Sequence, residues 1–598
     1  MKKCKRILIG LLASLLMVVW SAGAVGCNKK DDSPETLEIY IEKMGYGVDW
    51  LDDIIEAFKQ EQWVKDKYPN LNIPKPEARV NQGSATQRVI AGAKSNTADL
   101  LFGTTTATGW IYRSDEESSN FEELSDVYNS EVPGETGVIF KEKMLPSIRS
   151  WVEQPDLSKA DTDPDAKVYH VFPWINGYIG MLYNKDNLDK LLGKDNYTMP
   201  RTTDEWMEMV RSIIKVQKDK GLDNTDDAFI NPFIYAPVMY WGASVSTWWA
   251  QYETRSGYEK YFLGTARING RDQLSPKVLE QKGKLRSFQT IESFVGAPGI
   301  DGEAGTEEIY DKVDEDSFKA QNTFDRIQVK YINGQGVFMP NGDWFDLEMR
   351  NAVEAGKGSD ITYMQLPIIS AVSEKLSYYK AGDTVFDKNA DGTTKEGNAT
   401  RKVYDELLRK LVDHVDGKCD KNEVEALYTA KGKSIDRLDA DIEHIREARH
   451  LMAPVEGHEA FIPSYATAKD IAKDFLRFMA TDKAIRIFAE STKGCSTAFS
   501  YDVIAQNPDL YDTFTDIQKQ RLSMVQNGGI SMPVKASYRL AMLGGFDMSR
   551  YPSGSIEVNF SSESGRKTAE EMVNYDINYY TQNNNAQWNS MLTAAGMR

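Results

Sequence analysis

The part of the sequence most suggestive of chemistry is an aromatic cluster between Tyr240 and Tyr252. It contains Trp241, Trp248 and Trp249, separated by small and polar residues. The face of a tryptophan can stack on the apolar C–H face of a sugar, and Asp, Asn, Gln or Arg side chains can bond the sugar hydroxyls. The cluster therefore predicts a carbohydrate-binding surface. Because Trp248 and Trp249 are adjacent, they cannot both point the same way, so we expect at least one to pack inside the protein.

A second candidate site is the segment 387–392, which resembles the first half of an EF-hand calcium loop, with Gly392 at the sharp turn. Position 12 of such a loop is Asn398 rather than the bidentate Glu, so another acid would have to complete the site. The predicted calcium ligands are Asp387, Asn389, Asp391, Thr393 and Glu396. The alternative is a solvated turn, since Asn, Asp and Gly favour turns without any metal. The calcium would be structural, and we expect no cofactor to be required.

Enzyme motifs are incomplete in this sequence. His458-Glu459 begins a zinc-protease motif, but Ile462 stands where the second histidine is needed. The sequence ending in Gly432-Lys433-Ser434 has Leu427 in place of the first glycine of a phosphate-binding loop. We therefore predict no catalytic residues. A surface glycoside-processing enzyme stays open as an alternative, because 89 acidic residues could supply the required pair of carboxylates.

Composition restricts the class of protein. The 598 residues are 41% hydrophobic and 27% charged, which is typical of a globular chain and not of a disordered, collagen-like or polytopic membrane protein. The net charge of −18 argues against a nucleic-acid partner, because such proteins need cations to displace the counterions of phosphates. The length predicts several domains or two large lobes.

The N-terminus has the pattern of an export signal. Basic residues precede an apolar run from Ile7 to Trp20, which is shorter than the ~20 residues of a membrane span. Small residues and Cys27 follow, and this pattern resembles a bacterial lipobox, with simple secretion as the alternative. We expect 1–26 to be a signal peptide and 27–36 a tether, with Cys27 lipidated. Cys419 and Cys495 would then remain, and the sequence leaves open whether they pair.

The chain from Leu37 onward predicts an α/β fold. Leu37, Ile39 and Ile41 alternate with polar residues as in a β-strand. A helix is expected next, because apolar residues recur at helical spacing within 51–58, at Leu51, Ile54, Ile55 and Phe58. Further strands are expected within 71–80 and 98–102. Strands alternating with helices favour a parallel sheet, in which ligands bind beyond the carboxyl ends of the strands.

Four passages resemble one family, the extracellular solute-binding proteins of ABC importers, in the sugar-binding group that includes maltose-binding protein. They are Ala98–Phe102, Phe172–Asp186, Gly334–Trp344 and Gly457–Phe499. The second ends in Tyr-Asn-Lys-Asp, and the third ends in Gly-Asp-Trp. The resemblance implies a two-lobed, periplasmic-binding-protein-like α/β fold with discontinuous lobes and hinge strands. Lobe one would take 37–170 and 366–480, with an insertion at about 371–450, and lobe two would take 178–365 and 481–598.

The resemblance also implies the ligand site and the partners. The site would lie in the cleft between the lobes, with Trp344 at the family position that stacks on sugar. The predicted ligand-binding residues are Trp344, Trp174, Asn176, Tyr178, Trp241, Trp248, Trp249, Asp343, Trp110 and Thr105. The chain would be a monomeric lipoprotein on the outer leaflet of the cytoplasmic membrane, at the cell surface or periplasmic side. It would deliver an oligosaccharide to ABC permease subunits powered by separate ATPase subunits. A receptor for a peptide or other solute, and a surface lipoprotein without a ligand, are the alternatives within the non-enzyme class.

Overall fold

The computed structural model describes most of the chain and contains two α/β lobes. The described residues are 35–79, 98–104, 121–156, 159, 162–163, 166–222, 226, 228–234, 240–295, 323–389, 392, 394–455, 458–526, 528–533, 538–547, 550–552, 554–561 and 566–598. Among them, no helix has the length and apolar character needed to span a bilayer.

The strands and helices of the described residues are numbered along the chain. The strands are β1 (Ile39–Glu42), β2 (Glu77–Arg79), β3 (Leu100–Thr104), β4 (Gln154–Pro155), β5 (Lys167–Val168), β6 (Phe172–Pro173), β7 (Tyr178–Asn184), β8 (Asn231–Phe233), β9 (Thr265–Ile268), β10 (Arg271–Leu274), β11 (Gly336–Gly342), β12 (Ile361–Met364), β13 (Leu451–Pro454), β14 (His458–Phe461) and β15 (Ile530–Ser531). The helices are α1 (Asp49–Gln60), α2 (Gln62–Lys67), α3 (Ser125–Tyr128), α4 (Phe140–Lys143), α5 (Pro146–Val152), α6 (Lys185–Leu192), α7 (Thr203–Lys218), α8 (Trp241–Glu253), α9 (Arg255–Leu263), α10 (Lys282–Phe294), α11 (Thr323–Ile332), α12 (Phe345–Glu348), α13 (Arg350–Glu354), α14 (Ala399–Val415), α15 (Lys421–Ala430), α16 (Leu438–His450), α17 (Lys469–Met479), α18 (Asp482–Ser491), α19 (Val503–Gln506), α20 (Pro508–Asp512), α21 (Asp516–Gln526), α22 (Arg539–Gly544), α23 (Ile556–Ser561) and α24 (Ala569–Ala594). Two 3₁₀ helices lie at Pro276–Glu280 and Ser370–Lys375.

The first lobe is built on a sheet with the strand order β2-β1-β3-β14-β6. β1 pairs in parallel with both β2 and β3, as the sequence predicted, while β14 is antiparallel to β3. All four residues of β1 are buried, as is typical of strands covered by helices on both faces. Helix α1 packs its apolar stripe, including Leu51 and Phe58, into the same core.

The second lobe is built on a sheet with the order β15-β13-β7-β11-β8, and β12 also pairs with β7. β7 runs antiparallel to β11, with Ile179 opposite Gly342. Helices α7, α8 and α10 contribute Trp206, Trp248 and Phe288 to the core beneath this sheet. The predicted α/β class with two lobes is confirmed by these separate sheets and cores.

Two stretches of chain cross between the lobes side by side. One joins β6 to β7, and the other joins β13 to β14. They are held together by a hydrogen bond of 3.0 Å from the Val455 amide to the Gly177 carbonyl. Because each stretch enters a sheet at both ends, they fix how the two lobes face each other.

The insertion belongs to the second lobe, and its assignment within 366–480 to lobe one is wrong. Tyr404, Leu411 and Ile445 of helices α14 and α16 lie in the same core as Trp206. Helix α14 is also fixed by the Arg401–Asp204 ion pair of 2.6 Å to α7. The sequence shows that these helices are amphipathic but not which lobe their apolar faces meet.

The boundary placed at residue 481 is also too early. Helix α18 packs on α1, and its Ile485 and Phe488 lie in the core of the first lobe. The first lobe therefore continues to about Phe499, which is in that core as well. Helix α21 then packs against β12 of the second lobe.

Candidate functional site

Residues from both lobes meet in a buried interlobe seam, which we define as Tyr46, Tyr240, Asp343, Trp344 and His458. Tyr46 follows β1 at its carboxyl end, and His458 begins β14, so the first lobe contributes two rings. Tyr240 precedes α8, while Asp343 and Trp344 lie between β11 and α12 of the second lobe. The Asp343 amide donates to the Tyr178 carbonyl at 3.0 Å, which ties this turn to the crossing strand.

Trp344 is the centre of the seam. Its ring centroid lies 5.2 Å from that of Tyr46 and 5.9 Å from that of Tyr240, both in edge-on geometry. The His458 ring lies 6.2 Å away and is tilted. Although Trp344 follows a strand of the second lobe, it is only 6% exposed and belongs to the core of the first. The lobes are therefore closed on each other at this point.

Two glycines permit this close approach. A Cβ on Gly45 would lie 2.0–2.4 Å from three atoms of the Trp344 indole, and one on Gly177 would lie 2.0 Å from the Tyr46 hydroxyl. Real Cβ contacts are not this short, so any side chain at these positions would have to displace the seam. The glycines thus let one lobe's aromatic rings lie directly on the other lobe's backbone.

Asp343 is the buried carboxylate of the seam. Its Oδ1 accepts a hydrogen bond of 2.5 Å from the Tyr46 hydroxyl of the opposite lobe. Within the described part of the chain, its Oδ2 has no hydrogen-bond partner. Burial raises the pKa of Asp343 to about 7, because the charged form loses its hydration.

Arg521 of α21 joins the lobes behind Asp343. Its guanidinium donates to the Asp343 carbonyl at 2.7 Å and pairs with the Asp346 carboxylate. It also donates to the Thr492 carbonyl at 3.2 Å and to the Lys493 carbonyl, at the end of α18. A cation at a helix C-terminus satisfies orphan carbonyls, so this residue couples the end of a first-lobe helix to the second lobe.

Trp174 is a core residue, and its prediction as a stacking platform needs correction. Its ring is stacked on Trp50 at 4.7 Å inside the first lobe, and it meets Tyr46 edge-on at 5.8 Å. It thereby supports Tyr46 from behind. Its Nε1 lacks a hydrogen-bond partner among the described residues.

The three tryptophans of α8 are also core residues, so their prediction as sugar ligands needs correction, while the expectation that at least one of Trp248 and Trp249 packs inside agrees with the structure. Trp241 and Trp248 lie in the main core of the second lobe, and Trp249 lies in a second cluster on the other side of the helix. Each indole N–H has an internal acceptor: the Ile234 carbonyl at 3.1 Å, the Pro367 carbonyl at 3.2 Å and Gln281 Oε1 at 2.8 Å, respectively. Because α8 is buried on both sides, adjacent tryptophans pointing in different directions are both inside.

Asn176 and Tyr178 line a separate cavity of about 490 Å³ between the lobes. The cavity also contacts Ser147 of α5, Arg255 of α9 and Ser531 of β15. Asn176 is half-buried there, whereas the Tyr178 ring is buried against Tyr363 of the second lobe at 5.7 Å. Neither side chain is part of the seam, and because both line this cavity between the lobes, their role as sugar ligands stays a prediction.

Several other predicted residues lie outside the described residues. They are Cys27, Thr105, Trp110, Asp391 and Thr393. Of the predicted calcium ligands that are described, Asp387 pairs with Arg286 at 2.5 Å, and Glu396 pairs with Arg211. Asn389 is exposed. In the described ranges, no group of three or more His, Cys, Asp or Glu side chains could hold a metal ion, and calcium binding stays a prediction.

The sequence did not lead us to predict five residues as part of this site: Gly45, Tyr46, Tyr240, His458 and Arg521. The position of Gly45-Tyr46 just beyond β1 was an available signal, because ligands bind beyond the carboxyl ends of parallel strands. Arg521 had no comparable signal, since its partner Asp346 is 175 positions away in sequence.

The comparisons with known proteins give structural alignments and no sequence match. No protein-family model matches the chain, and no curated protein matches it. The maltose-bound MalE3 of T. maritima aligns over 91% of this chain and 98% of its own, with 12% identity and a TM-score of 0.48. The GacH receptor of Streptomyces glaucescens, solved unliganded and with acarbose, aligns over 91% and 97%, with 11% identity and a TM-score of 0.46. A structure described under xylan utilization by Caldanaerobius polysaccharolyticus aligns over 91% and 99%, with 13% identity and a TM-score of 0.47. Similarity at this level carries no functional argument, so function rests on the geometry of the seam.

Proposed function

We propose that this protein captures a carbohydrate, in particular an oligosaccharide, in the cleft between its lobes and delivers it to the permease of an ABC importer. One observation carries the proposal. Trp344 of the second lobe lies among aromatic rings of the first lobe, beside a buried carboxylate that bonds across the same seam. A ligand that entered between the lobes would meet these groups.

The chemistry of the seam suits a sugar. Separation of the lobes would uncover the rings of Trp344, Tyr46 and Tyr240, which offer faces for the C–H surface of a pyranose. Asp343 would offer acceptors for hydroxyl groups, and its Oδ2 has no partner in the described ranges. Apolar faces combined with a polar acceptor match the two-sided character of a sugar ring.

Closure of the lobes is the proposed mechanism of capture. Contacts such as Tyr46–Asp343 exist only when the lobes are together, so the open and closed forms differ in which groups they expose. A ligand that touches both lobes favours the closed form by its differential affinity for the two states. The closed form would then dock on the permease, which is powered by separate ATPase subunits.

The anchor is part of the proposal. A lipid on Cys27 would hold the protein at the outer leaflet of the cytoplasmic membrane, and two or more acyl chains are enough for stable retention. Cys27→Ala should release the protein into the medium or leave it unprocessed. Retention of a correctly cleaved variant on the membrane would contradict this part of the proposal.

The test of binding is a glycan array followed by calorimetric titration of the best oligosaccharides. Trp344→Ala should weaken binding by about 5- to 150-fold, or ~1–3 kcal/mol by analogy with the stacking of bases on aromatic side chains. The matched control is Trp63→Ala, because Trp63 lies half-buried on α2 of the first lobe, against Phe58 at 5.8 Å. The control should bind as tightly as the wild type.

Three outcomes would contradict the proposal. Unchanged affinity of the Trp344 variant would remove the seam from the binding site. Release of shorter sugars, detected by chromatography of the titrated mixture, would favour the glycoside-processing enzyme. Binding of peptides or other solutes with no response to any glycan would favour a receptor of a different class.

A further inference from the structure

The seam contains a group of buried charges that does not balance. Asp343 and Asp346 are two carboxyl groups, and Arg521 is one guanidinium, and all three are at most 3% exposed. With both carboxyls ionised, the group carries a net charge of −1 inside the protein. An uncompensated buried charge is strongly destabilising, so such a group either takes up a proton or binds a cation.

The contacts identify Asp343 as the carboxylate in excess. Arg521 pairs with the Asp346 carboxylate, whereas its contact with Asp343 is to the backbone carbonyl. The Asp343 side chain accepts from the neutral Tyr46 hydroxyl through Oδ1, and Oδ2 has no partner among the described residues. The unfilled acceptor therefore lies at the point where the two lobes meet.

Other titratable groups face Asp343 from the surrounding elements. Tyr46 comes from the loop after β1, Arg521 from α21, Asp346 from α12, and Cys495 from the segment after α18. Burial raises the pKa of Tyr46 and of Cys495, so neither adds a charge near neutral pH. Tyr178 of β7 and Tyr363 of β12 also face Asp343, and burial raises the pKa of both, so they stay neutral as well. The His458 ring lies 5.3 Å from Tyr46, and its imidazole is a further described group that could gain a proton.

The rings around this carboxylate favour a cation over an uncharged partner. The Tyr46 hydroxyl bonds the Asp343 carboxylate, and the Tyr46 ring lies 5.2 Å from that of Trp344, so an ammonium group that paired with Asp343 would lie beside aromatic rings. Aromatic rings beside a carboxylate can add cation–π attraction to the attraction between the charges. A hydroxyl group would fill the hydrogen bond but leave the charge of −1.

We propose that the preferred ligand of this cleft is an amino-bearing glycan, whose protonated amine pairs with Asp343 between the two lobes. The inference rests on the proposed carbohydrate function and narrows its ligand class. A neutral glycan would also bind, but only with a proton taken up by Asp343.

The experiment compares matched sugars by calorimetry with the full-length protein at about pH 7. Cello-oligosaccharides and chitosan oligosaccharides share a β-1,4 backbone and differ in a hydroxyl or an amino group at carbon 2. The amino-substituted counterpart of the best neutral oligosaccharide on the array gives a second pair. We expect the amino form of at least one pair to bind at least ten-fold more tightly. Repeating the titrations in buffers of different ionisation enthalpy should show proton uptake for neutral ligands and less uptake for the amino forms.

Variants locate the effect. Asp343→Asn should bring the affinities of the two members of a pair to within a few-fold of each other. His458→Gln, which also alters the seam, should change both affinities by a similar factor and so keep their ratio. If Asp343→Asn does not fold, the proton uptake of His458→Gln decides the question: uptake that remains in this variant assigns the proton to Asp343, and uptake that vanishes assigns it to His458.

The outcomes separate this inference from the proposed function. Suppose that neutral sugars bind as tightly as their amino forms and that Trp344→Ala weakens this binding. That result would overturn the inference and leave the proposed function intact. Proton uptake that persists in Asp343→Asn and vanishes in His458→Gln would overturn it as well, by assigning the proton to His458. Binding of neither series would contradict both.

Discussion

The interlobe seam and helix α8 are both rich in aromatic residues, but their polar atoms differ. In α8, the indole nitrogens of Trp241, Trp248 and Trp249 all donate to acceptors within the protein. In the seam, Asp343 Oδ2 and the nearby Trp174 Nε1 have no partner in the described part of the chain. Buried polar groups are normally paired, so the unpaired oxygen of Asp343 is a candidate contact for a ligand at the lobe boundary, although an unpaired nitrogen such as Trp206 Nε1 also occurs inside a lobe core. The density of aromatic residues along the sequence does not distinguish the seam from α8, whereas the buried carboxylate of the seam does.

The sharpest test of this contrast is Trp248→Ala. Because Trp248 is fully buried in the second-lobe core, its loss should lower the free energy of unfolding by about 3–5 kcal/mol. Chemical denaturation measures the change, with Trp63→Ala, at a half-buried position of the first lobe, as the control that should lose less stability. A Trp248 variant of normal stability that fails to bind glycans would place α8 in the ligand site and reverse the contrast.

Asp343 should make stability depend on pH. Its pKa of about 7 in the folded protein is above its ordinary value of 3.8, so the folded state holds a proton that the unfolded state releases. Stability should therefore fall as pH rises from about 4 to about 7, by roughly 2–4 kcal/mol for this group. Asp343→Asn should flatten that part of the profile measured by denaturation.

The comparison of wild type with the variant isolates Asp343 from other groups. Burial also raises the pKa of Asp405 and of Glu557 to about 7, and both remain in the variant. Identical pH profiles for the two proteins would mean that Asp343 does not titrate in the seam.

Gly45→Ala tests whether the seam is the contact that closes the lobes. The added methyl group would overlap the Trp344 indole, and such overpacking typically costs ~1–3 kcal/mol. We expect a larger radius of gyration by small-angle X-ray scattering and weaker glycan binding, with each lobe still folded. Gly397→Ala is the control, because a methyl group at Gly397 meets open space and the backbone there has an ordinary φ. Gly47 is not suitable, because its positive φ would itself strain an alanine. A compact Gly45 variant with normal affinity would show that the seam can rearrange without opening.

The smallest expected effect is that of calcium on stability. It depends on whether the carboxylates of the predicted calcium loop are paired or unpaired. Asp387 and Glu396 are already paired with arginines, unlike Asp343. If calcium binds in the millimolar range, it stabilises by only ~0.4 kcal/mol at a concentration equal to Kd. Differential scanning fluorimetry of chelator-treated protein should show a small rise in Tm that Asp387→Ala reduces. A large rise would mean that calcium displaces these arginines.

Local pattern in the sequence was sufficient for much of the fold. Alternation around Ile39 and the spacing of Leu51 to Phe58 predicted β1 and α1 correctly, because both elements face a single core with a simple period. Trp344 was placed between the lobes by resemblance, and its contacts there agree with that placement.

What could not be predicted depends on distant partners. The apolar faces of α14 and α16 are visible in the sequence, but the lobe that receives them is decided by packing against α7 and α8. Likewise, α8 is covered on its second side by a cluster that includes Trp588 near the C-terminus, which no local pattern reveals. The charge excess at Asp343 is set by Asp346 and Arg521 together, so it exists only in the folded chain.

The burial of Trp344 in the first lobe has a consequence for the rate of capture. A cleft filled by its own side chains cannot admit a ligand by simple collision, so an opening event has to come first. The observed rate of association should then rise with ligand concentration only until it reaches the opening rate, and level off there. Stopped-flow recording of tryptophan fluorescence would reveal that plateau, and Trp344, whose surroundings change on opening, would itself be the reporter.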